Sequence, residues 1–510
     1  MISCDKKDLN NLISNQYQVA GLLDLDYVIS RPFNYLVGQL QSLHKPYYAP
    51  QERICVYGNS KPTQQIVDNF VYLANKIDIS PDFILFCTPD QPHTFEHFPI
   101  SFRDNDLCNN LHPLFIMPEN FCLNPWMNLD FHNRGTVAPC CVYKEPLRDN
   151  KNQQFNIKTN SLEDIIHSPQ MSDLRSQFAS NQRPVNCEVC WHKESSGGES
   201  NRVWANDLLF EHVDKIDLDN PTIDSITTLK LPLGTLCNFR CRMCTHVLSS
   251  RIAHELYVQT GNEEYKRYIQ QTDWETDNTI WKKLNNIGSN IKNIELIGGE
   301  PLLVKSHIKF LKHLIDNNYA HDIRLSYNTN GSVHANLYND WKKFKHVNLA
   351  FSIDDTGDRF EIQRDGGVWK EVTANIANYT KNKLSNMSLS VYCTVNVQNI
   401  LYLDELVQWA ETQNFDSFHF NFLNEPKWLN IKYIHNDIAI RSIEKLQKLN
   451  KPLKDKYKLD IVIDKLQNNQ YSNTITQEFY EQTLLKDKLR NQNFFQAHKE
   501  LGDLLGFIIV

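Results

Sequence analysis

Beyond Thr227 the chain alternates short apolar runs with stretches of helical spacing. Residues 228–233, 293–297, 323–327, 347–353, 389–395 and 417–423 read as strands. Residues 305–315, 337–344, 368–382 and 403–413 read as helices between them, with more helix after Lys432. Strands that alternate with helices predict a parallel sheet joined by right-handed crossovers. Six such units are too few for a closed eight-stranded barrel, so the expected architecture is a partial (β/α)6 barrel, open on one side. Further upstream, residues 52–58 and 82–87 read as strands, and Ile66, Phe70, Leu73, Ala74 and Ile77 place a helix over 62–79. A second apparent helix runs over 161–178, with Ser161 as N-cap and Asp164 completing a capping box.

This pattern divides the chain into a small α/β domain over 1–115, a cysteine-rich module over 116–213, a linker at 214–224, the partial barrel over 225–440 and a mostly helical tail over 441–510. Of 510 residues, 41% are hydrophobic and 22% charged, enough for a large core. Fifty-three basic and 60 acidic residues leave a net charge of −7, so the chain lacks the global basic field of a non-specific nucleic-acid binder. No apolar run approaches the length of a membrane span, and the opening Met1-Ile2-Ser3-Cys4-Asp5 is polar, so no secretory leader is expected. The expected location is the cytoplasm, where thiols stay reduced. Thirteen cysteines there are metal ligands, reactive thiols or buried small hydrophobes, not a disulfide framework.

Cys4, Cys55, Cys87, Cys108 and Cys393 stand alone and read as buried hydrophobes. The other eight fall into two groups: Cys122, Cys140, Cys141, Cys187 and Cys190, then Cys237, Cys241 and Cys244. The second group has the spacing C-x3-C-x2-C just past the first strand of the partial barrel. Three thiolates can hold three irons of a [4Fe–4S] cluster and leave the fourth open to a ligand. Two other readings stay open on these residues alone: zinc, with His246 as a fourth ligand, and a buried helical stripe.

The later strand ends narrow the choice. They carry Gly298-Gly299-Glu300-Pro301, then Asn328-Thr329-Asn330-Gly331, then Ser352-Ile353-Asp354 with Arg364 following, then Thr394-Val395-Asn396. Over roughly 225–430 the chain resembles the radical S-adenosylmethionine (SAM) superfamily. The resemblance implies that Cys237, Cys241 and Cys244 hold a [4Fe–4S] cluster whose open iron SAM chelates. It implies that Gly298, Gly299 and Glu300 receive the SAM amino group, that Ser352 and Arg364 bind ribose and carboxylate, and that Asn330 and Asn396 line the same mouth. Met243 stands where many members carry an aromatic residue beside adenine, and a thioether can pack on that face.

The upstream group reads Cys122-x12-Gly135-x4-Cys140, then Cys187-x2-Cys190, with Cys141 as a spare. It resembles the twitch module, the shortened SPASM-type domain that carries one auxiliary cluster, although here the module precedes the barrel. Four thiolates there close a second [4Fe–4S] cluster, or suit tetrahedral zinc. Trp126, Trp191 and Trp204 read as core or as cleft lining, and Ser200-Asn201-Arg202 as a solvated loop or a carboxylate-binding segment. No H-E-x-x-H or G-x-S-x-G motif is present.

The function implied by the resemblance is that of a radical SAM oxidoreductase. It would cleave SAM reductively to a 5′-deoxyadenosyl radical and abstract hydrogen from a peptide, protein or small-molecule substrate, with the auxiliary cluster as electron acceptor. A low-potential donor of flavodoxin or ferredoxin type is the implied partner; no membrane or nucleic acid is expected. The alternatives are a non-catalytic zinc-binding interaction protein, or a radical SAM enzyme with structural zinc upstream.

Overall fold

The structure is a computed structural model, and it describes residues 21–24, 53–57, 83–87, 92–93, 120–195, 200–209, 212, 217–218, 220–269 and 274–506. The chain divides into two compact units: Met1–Phe121 with Ala179–Gln182 and Glu211–Lys215, and Cys122–Phe178 with Arg183–Phe210 and Ile216–Val510. In the first, β1 (Gly21–Asp24), β2 (Arg53–Tyr57) and β3 (Phe83–Cys87) pair in parallel, and β4 (Pro92–His93) adds antiparallel to β3. The two strands expected at 52–58 and 82–87 are β2 and β3. The helix expected over 62–79, Cys4 and Cys108 lie outside the described residues.

The second unit is built on one sheet. Its six expected strands are β7 (Thr228–Pro232), β9 (Asn293–Ile297), β10 (Arg324–Thr329), β11 (His346–Ser352), β13 (Met387–Val395) and β14 (Ser417–Phe422). They lie side by side in chain order, all parallel. The sheet extends past β7, where β5 (Asn128–Phe131) pairs in parallel with it, Asp130 opposite Lys230, and β6 (Val137–Ala138) pairs antiparallel with β5. The cysteine-rich segment therefore shares the sheet of the six expected strands. The helices expected after the strands form at Ser306–Asp316, Tyr338–Trp341, Trp369–Lys381 and Leu403–Glu411.

Alternation sorts the two faces of this sheet. Leu229, Leu231, Ile294, Leu296, Leu325, Tyr327, Val347, Leu349, Leu389 and Val391 are fully buried on the helix-covered face, with Trp281, Phe310 and Leu314 in the same core. Each such side chain contributes roughly 1.5–3 kcal/mol on burial. The opposite face is polar: Asp130, Lys230, Glu295, Ser326, Asn348 and Ser388 follow one another from strand to strand. Ser388 and Ser390 donate to Asn348 at 2.9 and 2.7 Å, and Ser417 donates to Ser390 at 2.9 Å.

The upstream helix forms in two pieces, Leu162–Ile166 and Pro169–Ala179, because Pro169 cannot continue the first. Its capping box is present: Ser161 Oγ accepts from the Asp164 amide at 3.0 Å and Asp164 accepts from the Ser161 amide at 3.1 Å. The tail is helical, including Asn436–Lys448, Leu459–Gln467 and Asn473–Arg490. Among the described residues no helix is long and apolar enough to cross a membrane.

Candidate functional site

The three clustered cysteines lie on the loop that leaves the C-terminal end of β7. Cys241 is buried, and Cys237 and Cys244 are half-buried. Burial pushes the thiols of Cys237 and Cys244 up to about 12, and each feels the Cys241 sulfur as a further raising charge. Three thiolates so close together need a compensating cation, and a metal core supplies one.

The loop after β9 presses directly on this cysteine loop. Leu233 donates to the Ile297 carbonyl at 2.7 Å, Gly299 to the Gly234 carbonyl at 3.0 Å and Glu300 to the Leu236 carbonyl at 2.7 Å. A Cβ on Gly299 would sit 2.2 Å from the Leu236 oxygen, and one on Gly298, which is at φ +128°, 2.7 Å from the Gly234 oxygen. Only glycine fits a backbone approach of this kind.

Glu300 is fully buried and its carboxylate is already engaged. It accepts from Thr329 Oγ1 at 2.8 Å, from the Asn330 amide at 2.7 Å and from the Leu302 amide at 3.1 Å. Burial pushes its carboxyl up to about 7 against the pull of those donors. Its side chain thus ties the end of β9 to the end of β10. Asn330 reaches the cysteine loop, donating to Asn238 Oδ1 at 2.9 Å with Cys237 Sγ 3.9 Å away.

A two-stranded ribbon fixes the other side of the loop. In it β8 (Arg240–Cys241) pairs antiparallel with β12 (Arg364–Asp365), Cys241 opposite Arg364. The Arg364 guanidinium pairs with Asp354 at 2.6 Å, and its Nη1 lies 3.7 Å from Cys241 Sγ. Arg364 Nε is buried with no hydrogen-bond partner. Ser352 is half-buried as the last residue of β11, and Met243 is half-buried against the core. Asn396 is fully buried in the turn after β13, where its amide donates to the Thr394 carbonyl at 2.8 Å and its Oδ1 accepts from the Gln398 amide at 2.9 Å.

The upstream cysteines also converge. Burial pushes Cys122 up to about 12, with Cys190 adding to the rise. Cys140 is raised by burial and by the sulfurs of Cys122, Cys141 and Cys187, and Cys187 by burial and then Cys122 and Cys190. Cys141 is exposed, with its Sγ 3.7 Å from Asn201 Oδ1, and Lys230, Asp130 and Glu295 of the polar sheet face also act on it as charges. Lys230 pairs with Glu295 at 3.2 Å, and burial pushes the Asp130 carboxyl up to about 7.

Arg202 has a part that residue order did not reveal. It grips Glu194 at 3.0 and 2.7 Å, and its charge lowers both Cys122 and Cys187. Trp191 lies under Arg202 and Arg183, at 5.0 and 5.5 Å, Trp126 is buried core and Trp204 is half exposed. Among the described residues no three His, Cys, Asp or Glu side chains, in either cysteine group, close round a single metal ion.

Residues 231–410 match the model of the radical SAM superfamily, and residues 122–191 match that of an iron-sulfur cluster-binding domain of SPASM type. The chain therefore carries a radical SAM domain preceded by a SPASM-type module. Its cofactors are a [4Fe–4S] cluster with SAM and an auxiliary cluster. No curated relative matches the chain. Among solved structures, anSMEcpe with bound AdoMet is 15% identical with a TM-score of 0.31 over 48% of this chain and 63% of the other. SuiB of Streptococcus suis bound to precursor peptide SuiA is 14% identical with a TM-score of 0.31, covering 61% and 66%. TYW1 with a lysine-pyruvate adduct is 14% identical with a TM-score of 0.26, covering 45% and 73%. The chain thus spans less than two thirds of the anSMEcpe chain.

Proposed function

We propose that the protein is a radical SAM oxidoreductase in which Cys237, Cys241 and Cys244 hold the SAM-binding cluster and Cys122, Cys140, Cys187 and Cys190 the auxiliary one. When bound on these cysteines, the first cluster would supply the one-electron reduction that splits SAM into methionine and a 5′-deoxyadenosyl radical able to take a hydrogen atom from substrate. The chain's own residues hold and orient. Gly298 and Gly299 let the loops after β7 and β9 meet, where they would receive the SAM amino group, while Glu300 braces the strand ends. Arg364 keeps its unpartnered Nε for the SAM carboxylate, and Ser352 and Asn330 serve the mouth above it.

The observation that carries the oxidative part is the placement of Cys141. It follows Cys140 in the chain and lies among Lys230, Glu295 and Asp130 on the polar sheet face. That face begins the same strand, β7, that delivers Cys237. A substrate lying along it would pass β7, whose C-terminal loop carries Cys237, and Cys141 beside Cys140; an auxiliary cluster there would supply an acceptor for the substrate electron, with a carboxylate such as Asp130 taking the proton. A polar lining favours a hydrogen-bonding substrate, such as a peptide or a polar small molecule, over a hydrocarbon. The electron donor is a flavodoxin or ferredoxin.

The test is to screen peptides and metabolites linked to the gene's neighbourhood by mass spectrometry for the loss of two hydrogens. Cys187→Ala is expected to keep 5′-deoxyadenosine formation and to lose that product. Full product yield from the variant removes the acceptor role.

A further inference from the structure

The cysteine loop is closed from behind by residues far outside the matched family region, which ends at 410. Residues 240–244 form only a two-residue strand, so most of their backbone carbonyls have no ladder partner and must find donors elsewhere. One helix, Asn473–Arg490, provides two of them, while Cys241 accepts from the Cys244 amide within the loop at 3.1 Å. Arg490 Nη1 donates to the Arg240 carbonyl at 2.6 Å, and Lys486 Nζ to the Arg242 carbonyl at 3.2 Å. These are the carbonyls on either side of Cys241.

The side chains of the loop are held as well. Arg242 is 1% exposed, and its guanidinium pairs with Asp487 and donates to Gln492 Oε1 at 2.8 Å. Arg240 pairs with Asp365 at 2.6 Å, and Gln492 Nε2 donates to the other oxygen of Asp365 at 3.0 Å. Arg490 is itself fixed by two 3.1 Å bonds to Glu255. Asn491 ends the helix at φ 52°, a left-handed position that asparagine tolerates. The chain then turns back, putting the Phe494 ring 5.2 Å beneath the Arg242 guanidinium and its amide 2.8 Å from Asp487 Oδ2.

We propose that this C-terminal helix and turn are part of the cluster site, with Asp487, Arg490 and Gln492 as positioning residues that hold the 240–244 loop and so fix Cys241 and Cys244. Buried charges of this kind are costly to leave unpaired, so removing one partner frees the loop rather than merely weakening a surface contact. The inference rests on Cys237, Cys241 and Cys244 being the SAM-cluster ligands.

The experiment uses the full-length holoprotein under anaerobic conditions: wild type, Asp487→Asn, Gln492→Ala, and Leu485→Ala as a control at an exposed position of the same helix. It follows the EPR signals of the dithionite-reduced clusters, their change on adding SAM, and iron loss to a chelator, with circular dichroism to check folding. Both Asp487→Asn and Gln492→Ala are expected to lose the SAM-cluster signal about tenfold faster than wild type, the lower end of the effect known for outer partners of metal ligands. Their auxiliary signal is expected to persist, the response to SAM to fall in proportion, and the control to behave as wild type. If Asp487→Asn does not fold, Gln492→Ala decides. Wild-type retention and SAM response in folded Gln492→Ala overturn the inference. A wild type with no SAM-responsive cluster instead overturns the ligand assignment on which it rests.

Discussion

Gly299 shows how the site depends on what a residue lacks. Its α-hydrogen stands where a methyl group would meet the Leu236 carbonyl at 2.2 Å, and backbone cannot swing aside as a long side chain can. Gly299→Ala is expected to push the cysteine loop off its support, so that iron falls from about eight to about four per chain, one cluster lost of two. Iron and sulfide analysis reads this directly; undiminished iron would show that the approach is not required. Arg364 acts through charge. Its guanidinium beside Cys241 favours the more negative, reduced cluster, so Arg364→Gln is expected to lower the midpoint potential in a spectroelectrochemical titration. A potential that is unchanged or higher contradicts this role. His307 contributes a pH dependence. Burial lowers it from 6.5 to about 4 while its ring bonds the Val304 carbonyl and Tyr327. The unfolded chain binds that proton below its ordinary pKa and the folded chain does not, so stability is present above pH 6.5 and is lost as pH falls towards 4, by up to about 3 kcal/mol. Urea unfolding of wild type and His307→Gln across that range is expected to show the loss in wild type and a smaller one in the variant.

At the scale of elements, the regular strands and helices were legible because their alternation is long and their faces differ sharply in polarity. The six strands from β7 to β14 fall within one or two residues of the expected ends at most termini. What could not be read is the joining of β5 and β6 to that sheet. Asn128–Phe131 is buried on both faces, so it has no alternation to report, and Val137–Ala138 is too short to show a pattern. The single helix expected over 161–178 is broken at Pro169, while its start was readable from Ser161 and Asp164 because a capping box is a local, two-residue signal. Ser161→Ala is expected to cost about 1 kcal/mol by removing that cap. Chemical denaturation checks the size, and the SAM-cluster EPR signal of the folded variant stays as in wild type.

At the scale of the molecule, the site is assembled from parts of very different sequence range. The cysteine triplet and the strand-end motifs could be picked out because spacing and order carry them, and the structure sets the loops after β7 and β9 side by side. The hydrogen-bond partners of Glu300, Asn396 and Arg202 could not, because they depend on which neighbours the fold brings near. Glu300 is spent on Thr329 and Asn330, Asn396 on its own turn and Arg202 on Glu194. The clamp on Arg242 was out of reach altogether, since Asp487 lies 245 residues away and no local pattern links the two. The account as a whole stands on a cluster at Cys237, Cys241 and Cys244 that leaves one iron to SAM. The most direct measurement is chromatographic detection of 5′-deoxyadenosine after anaerobic, reconstituted protein is given SAM and dithionite. Wild type is expected to form it, and Cys241→Ala to form none while retaining about four irons in the upstream cluster. Wild-type protein that holds its iron and still yields no 5′-deoxyadenosine would contradict the account.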